Sequence, residues 1–163
     1  MAIFRIQRLQ AEFENEDNHD FEVRLLYMFV KSTEWINRSI KEAEVVVSDG
    51  NNEILCFSHP FLGEVGGIVS EPLYCLDAED IVLLDDEIYS IKSSDSYFRH
   101  TICGKIIDNN IVSIGEIRLS LEGSYIPGDI KNGDFITFET LRVDIYDNPD
   151  PPKIKERRKI ILD

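Results

Sequence analysis

Short alternations of apolar and polar residues, separated by turn residues, run along most of this chain. Within residues 21–31, apolar side chains occupy every other position: Phe21, Val23, Leu25, Tyr27 and Phe29. This is the period of a strand with one buried face. The β-branched and aromatic residues favour a strand over the helical spacing that this segment also contains. Residues 2–13 are apolar-rich as well, so we expect two antiparallel strands joined by an acidic loop.

One short helix is predicted between residues 32 and 44. Ser32 can cap its first turn. Four apolar residues follow at spacings of about three and four, which is typical of one helical face: Trp35, Ile36, Ile40 and Ala43. A second capping pair, Ser39 and Glu42, would start the helix later.

From residue 45 onward, short β-prone segments alternate with turn residues. Three pairs of segments flank such turns: 45–47 with 54–57, 81–84 with 88–91, and 101–107 with 111–121. Asn132-Gly133 is the strongest two-residue turn signal and leads into a further β-prone segment, 135–146. This spacing predicts a mainly β fold of roughly eight or nine short strands in a small barrel or sandwich. The spacing of strands and turns in residues 104–146 is similar to that of OB-like and other Greek-key barrels.

The length and one proline-rich break predict a single domain with a tail. A chain of 163 residues lies within the usual range for one domain. The prolines between residues 148 and 152 should end the last strand. We therefore expect a β-rich domain over 1–147 and a tail over 148–163, whose residues 153–159 carry five basic side chains. The tail is expected to dock on its own domain or on a neighbouring subunit, although its composition also fits disorder.

The balance of charge narrows the range of partners. Lys and Arg number 17 against 31 Asp and Glu, so the formal net charge at pH 7 is −14. Nucleic-acid binding needs a basic face that neutralises phosphates, and an anionic membrane surface would repel this chain. The field instead favours a basic partner protein or a cationic ligand. Composition alone also fits an acidic coat that keeps the protein soluble.

The acidic residues gather in two clusters, which we predict to be partner-binding. The first contains Glu14, Glu16, Asp17 and Asp20, and the second contains Asp77, Glu79, Asp80, Asp85, Asp86 and Glu87. Neither cluster has the ligand spacing of a calcium loop. Aromatic residues that could anchor a partner lie nearby: Phe13, Phe21, Tyr74 and Tyr89. The alternative is that both clusters are solvated loops without a ligand.

Two cysteines and two histidines form the other candidate site. Cys56 with His59, and His100 with Cys103, offer two sulfurs and two imidazoles, which is a sufficient set for tetrahedral zinc. Residues three apart on a strand point to opposite faces, so each pair would need a turn. The alternative is two core thiols, a loop histidine and an edge histidine. A thiol paired with an imidazole could also serve a hydrolytic enzyme, but the sequence assigns no catalytic residue.

These patterns favour a non-enzymatic, acidic binding protein that sequesters or neutralises a basic partner, in the manner of an immunity protein. The alternatives are a small β-barrel metalloprotein or hydrolytic enzyme that uses the Cys/His set, and a structural subunit of a larger assembly. Three cysteines do not resemble a disulfide framework, and reduced thiols fit a cytoplasmic location. The N-terminal residues lack the pattern of a signal peptide, and no apolar run approaches about 18 residues.

Overall fold

A computed structural model describes residues 26–94, 97–146 and 148–151, and their regular structure is entirely β. The strands are β1 (Met28–Asn37), β2 (Glu42–Ser48), β3 (Glu53–Ser58), β4 (Ile68–Val69), β5 (Leu73–Leu76), β6 (Glu79–Leu84), β7 (Ser90–Ser93), β8 (His100–Asp108), β9 (Ile111–Ile114), β10 (Ile117–Ser120), β11 (Phe135–Thr140) and β12 (Arg142–Asp144). The predicted strand at 2–13, the first acidic cluster and the basic run at 153–159 lie outside the described residues. In the described part of the chain, no helix is long and apolar enough to cross a membrane.

The strands form one mixed sheet in the order β4-β1-β2-β3-β12-β5-β10-β9-β8-β11-β6. Parallel pairing joins β10 to β5 and β12 to β3, and the other pairs are antiparallel. Strand β7 lies off this path because it shares one edge of β8 with β9. It pairs with residues 100–103, and β9 pairs with residues 105–108. The predicted β-rich class is therefore confirmed, but the described residues form twelve strands rather than the eight or nine expected.

The predicted short helix at 32–44 is wrong. Strand β1 continues to Asn37, a turn follows, and β2 begins at Glu42. The apolar residues that matched helical spacing belong to two strands and their connecting turn. Ala43 is fully buried, whereas Ile36 and Ile40 remain exposed. Because a hairpin buries one face of β2, cross-strand pairing outweighs the local helical pattern.

The predicted turns were more accurate than the predicted pairings between strands. The β2–β3 and β8–β9 hairpins form where the turn residues indicated. A turn also separates β6 from β7, but these strands do not pair with each other, since β6 pairs with β11 and β7 with β8. Segment 135–146 divides at Leu141 into β11 and β12, which lie in different parts of the sheet.

Alternate residues of the strands supply one continuous hydrophobic core. Buried side chains from eleven of the described strands contribute to this cluster, from Met28 in β1 to Val143 in β12. Strands β1 and β10 are separated by four strands in the sheet, yet the Arg118 amide lies 3.5 Å from the Met28 sulfur. The Arg118 guanidinium also donates a hydrogen bond to the Ser70 carbonyl, 2.6 Å away. The sheet therefore curls inward, although within the described residues its outer strands β4 and β6 do not pair with each other.

Candidate functional site

The second acidic cluster lies at both ends of the outer strand β6. Asp77 is in the turn before the strand, Glu79 and Asp80 begin it, and Asp85, Asp86 and Glu87 follow it directly. All six residues are exposed. None of their side chains forms a hydrogen bond or salt bridge with another described residue. We call residues 77–87 the acidic edge.

A β-bulge shapes the start of the acidic edge. Pairing with β11 advances from Glu79↔Glu139 to Val82↔Thr137, so two β6 residues lie opposite the single residue Phe138. One of the two, Asp80, has a φ of +53°, and Asp77 in the preceding turn has a φ of +48°. Asp tolerates this left-handed region better than most residues, but at an energetic cost. Bulges often re-aim side chains at functional sites.

A surface cavity of about 380 Å³ adjoins this bulge. Two acidic residues, one tyrosine and three apolar residues line it: Ala78, Glu79, Asp80, Ile81, Tyr125 and Pro127. Tyr125 is 84% exposed, so its ring is available to a ligand. Carboxylates beside an aromatic ring suit a Lys or Arg side chain, which gains charge-assisted hydrogen bonds and a cation–π contact.

The strand of the acidic edge is open on one side. β6 pairs only with β11 among the described strands, so alternate N–H and C=O groups point away from the sheet. Its middle is apolar, and Val82 and Leu83 are 54% and 41% exposed. Outer strands usually carry a covering element or protective charge along their length to prevent pairing with other chains. Here the charges lie at the two ends.

Like charges also face each other across this part of the sheet. Glu79 lies directly opposite Glu139 on β11, an arrangement that destabilises an antiparallel pair. The guanidinium of Arg99 lies 3.7 Å from the Glu139 carboxylate and partly offsets the repulsion. Glu79 has no such partner within the described residues. The site therefore holds negative charge that no other described residue neutralises.

In contrast to the carboxylates of the acidic edge, the carboxylate of Asp144 is neutralised by an arginine. Arg142 donates two hydrogen bonds to it, at 2.6 and 3.0 Å, and the guanidinium carbon lies 4.1 Å from the centre of the Phe57 ring. The hydrogen bond to Asp144 raises the pKa of Arg142. Tyr74, one of the predicted anchors, stacks on Tyr146 with ring centres 4.9 Å apart. These groups are satisfied internally and indicate a structural role.

The four predicted zinc ligands occupy contrasting positions. Cys56 is buried in β3, where burial raises the pKa of its thiol well above the usual range, whereas His59 is exposed after that strand. His100 is buried in β8, and Cys103 is half-buried on the same strand. In the described ranges, no three His, Cys, Asp or Glu side chains form a group that could hold a metal ion. The zinc site stays a prediction.

The sequence indicated the acidic residues but not the side chains that line the cavity beside them. Tyr125 and Pro127 belong to the long connection between β10 and β11, and only the tertiary fold brings them to β6. Gly123, Pro127 and Gly128 are typical of a loop, but such residues do not indicate which strand the loop contacts. Tyr89, the anchor predicted beside the acidic turn, is 52% exposed and packs edge-on against Phe135.

Comparison with known proteins adds no family to this description. No family model, no curated protein and no solved structure matches the chain.

Proposed function

We propose that this protein is a non-enzymatic binding protein that captures a basic partner protein through its acidic edge. One observation carries the proposal: six exposed carboxylates within residues 77–87 have no neutralising partner among the described residues. Repulsion among such groups works against folding of the free protein, and the positive charge of a bound partner would offset it. Capture that blocks the partner's basic surface would give this protein the role of an immunity protein.

The electrostatic field supports recognition at a distance. A formal net charge of −14 accelerates encounter with a basic protein. The cavity at Glu79 and Asp80 supplies a place where one cationic side chain is held closely. Anchors of this kind, surrounded by weaker charged contacts, carry most of the binding energy in protein interfaces.

We further infer that the curled sheet belongs to a small barrel or sandwich and that the protein works in the cytoplasm. The contacts between Arg118 and the β1 region support the first inference. The three cysteines support the second, because Cys56, Cys75 and Cys103 are all free thiols.

Affinity capture from the native host with three full-length forms tests the binding proposal. The wild type is compared with an acidic-edge variant, Asp85→Asn, Asp86→Asn and Glu87→Gln. A control variant, Glu64→Gln, Glu71→Gln and Glu122→Gln, removes the same charge from exposed positions elsewhere. We expect the wild type and the control to recover the same basic protein, which is released as salt rises.

The acidic-edge variant should recover much less of that protein. Equal recovery by all three forms, or a captured partner that is acidic and insensitive to salt, would refute the proposal.

A further inference from the structure

We propose that the partner binds by strand addition: an extended segment of the basic partner pairs with the open edge of β6. This inference rests on the proposed function, and it adds the mode of recognition and the chemistry of the recognised segment. Backbone hydrogen bonds along β6 would supply affinity, and the charges at both ends would select the sequence.

The open edge supplies the template. β6 is the last strand in the order of the sheet, and none of its described residues pairs on the outer side. Outer strands with exposed apolar residues readily accept a further strand. Val82 and Leu83 fulfil this condition at the middle of β6.

The charges define the incoming segment. The six residues of β6 span about 20 Å. Carboxylates occupy its first two positions and the three positions directly after it, and the four residues between them, 81–84, are apolar. A matching segment has β-branched or apolar residues at its centre and Lys or Arg at both ends. One of those cations is positioned to enter the cavity beside Glu79 and Asp80, against Tyr125.

The protein itself offers two other occupants: its tail, whose residues 153–159 are also basic, and a second copy of the chain. The last described residues, however, attach to the other end of the sheet. Asp150 pairs with Ile68 in β4, and the order of strands places β4 and β6 at opposite ends. Because the edge is acidic and the formal net charge of −14 favours a basic partner, we assign the edge to a segment of that partner. The experiment separates this from the chain's own tail and from a second copy.

Binding of a synthetic peptide to the full-length protein tests strand addition. The probe has Lys-Arg at its start, Val-Thr-Val-Thr at its centre and Arg-Lys at its end, with both termini blocked. Two N-methylated isomers carry methyl groups on alternate backbone nitrogens, one on each edge of the extended peptide. The charge of all three peptides is the same. Calorimetry measures affinity, and hydrogen exchange measured by NMR reports protection of the amides of residues 79–84.

Strand addition predicts an asymmetric result. One isomer should bind at least about tenfold more weakly than the parent peptide, because the hydrogen bonds facing β6 are lost. The other isomer should bind nearly as well, since its methyl groups face away. The parent peptide should also slow the exchange of alternate β6 amides.

Three outcomes would overturn this inference. Equal binding of both isomers without protection of β6 means that charge alone holds the peptide, and the proposed function then stands without strand addition. If the parent peptide does not bind at low salt, strand addition is refuted. The capture experiment then tests the proposed function independently. Protection of β6 in the free protein, whether constant or increasing with protein concentration, assigns the edge to the chain's own tail or to a second copy.

Discussion

At the scale of single residues, Asp49 shows how one buried carboxylate connects two hairpins. Its side chain accepts hydrogen bonds from the amides of Asn51 and Asn52 in its own turn, at 2.9 and 2.7 Å. It also accepts one from the amide of Glu116 in the β9–β10 turn, at 2.9 Å. Burial acts to raise the pKa of Asp49, but these hydrogen bonds outweigh it and lower the pKa. Asp49 therefore stabilises the fold while it is ionised.

Gly115 is the position at which this connection is most sensitive. Its φ is +60°, and a Cβ there would lie only 2.4 Å from a carboxylate oxygen of Asp49. Gly115→Ala should reduce the free energy of unfolding by about 2 kcal/mol or more, through both backbone strain and displacement of Asp49. Urea denaturation measures the loss. Gly133→Ala is the matched control, because Gly133 has a φ of +97° and open space around it.

The control should lose only about 1 kcal/mol, the cost of the backbone conformation alone. Equal losses for the two variants would show that the contact between the two hairpins contributes little.

His100 is expected to make the stability of the fold depend on pH. Burial lowers its pKa, and a hydrogen bond with the backbone of Phe98 opposes this less strongly. Because the folded state binds the proton more weakly than the unfolded state, stability should decrease as pH falls below about 6.5, the ordinary value for histidine. His100→Leu should flatten the curve of unfolding free energy against pH in this range.

Chemical denaturation at several pH values measures both curves. Asp49 contributes in the same direction but at lower pH, since its stabilising effect is lost only as its carboxylate becomes protonated. Two parallel curves between pH 5 and 7 would exclude His100 as the origin of the effect.

At the scale of elements, the bulge in β6 offers a substitution that should weaken partner binding without lowering the stability of the fold. Asp80 has a left-handed backbone conformation, which glycine adopts without strain. Asp80→Gly should therefore keep or slightly increase the free energy of unfolding, while it weakens partner binding through loss of a carboxylate. Asp80→Ala removes the same charge but retains the strain, and should be about 1 kcal/mol less stable than Asp80→Gly.

Thermal unfolding and partner affinity, measured on both variants, check this prediction. If both variants bind as tightly as the wild type, Asp80 does not belong to the binding site.

Local elements were predictable from sequence where the signal was itself local. The β2–β3 and β8–β9 hairpins follow from alternation on either side of turn residues. The segment 32–44 failed because the spacing of Trp35, Ile36 and Ile40 fits a helix, and only the pairing of β1 with β2 excludes one. The partner of β6 could not be predicted, because β11 is distant in sequence. The local turn between residues 84 and 88 suggested that β6 pairs with β7, whereas β7 pairs with the next strand, β8.

At the scale of the whole molecule, the candidate site depends on topology as much as on composition. The run of acids at 77–87 was visible in the sequence. That it flanks an outer strand follows from the position of β11 between β8 and β6, because β6 pairs with no other described strand. These long-range pairings leave no periodic signal in the sequence. The cavity beside Tyr125 was hidden for the same reason.

The net charge of the molecule leads to opposite effects of salt on folding and on binding. The acidic-edge variant Asp85→Asn, Asp86→Asn and Glu87→Gln changes the formal net charge from −14 to −11, as does the control at Glu64, Glu71 and Glu122. The acidic-edge carboxylates are adjacent in sequence, so their removal should relieve more repulsion than the control does, by up to about 1 kcal/mol at low salt.

This gain should disappear as salt screens the charges, and it should accompany weaker partner binding. Urea denaturation at low and high ionic strength measures it. A variant that is less stable than the wild type at low salt would mean that these carboxylates stabilise the fold. Their exposure would then reflect a structural role, and the case for a partner-binding edge would be lost.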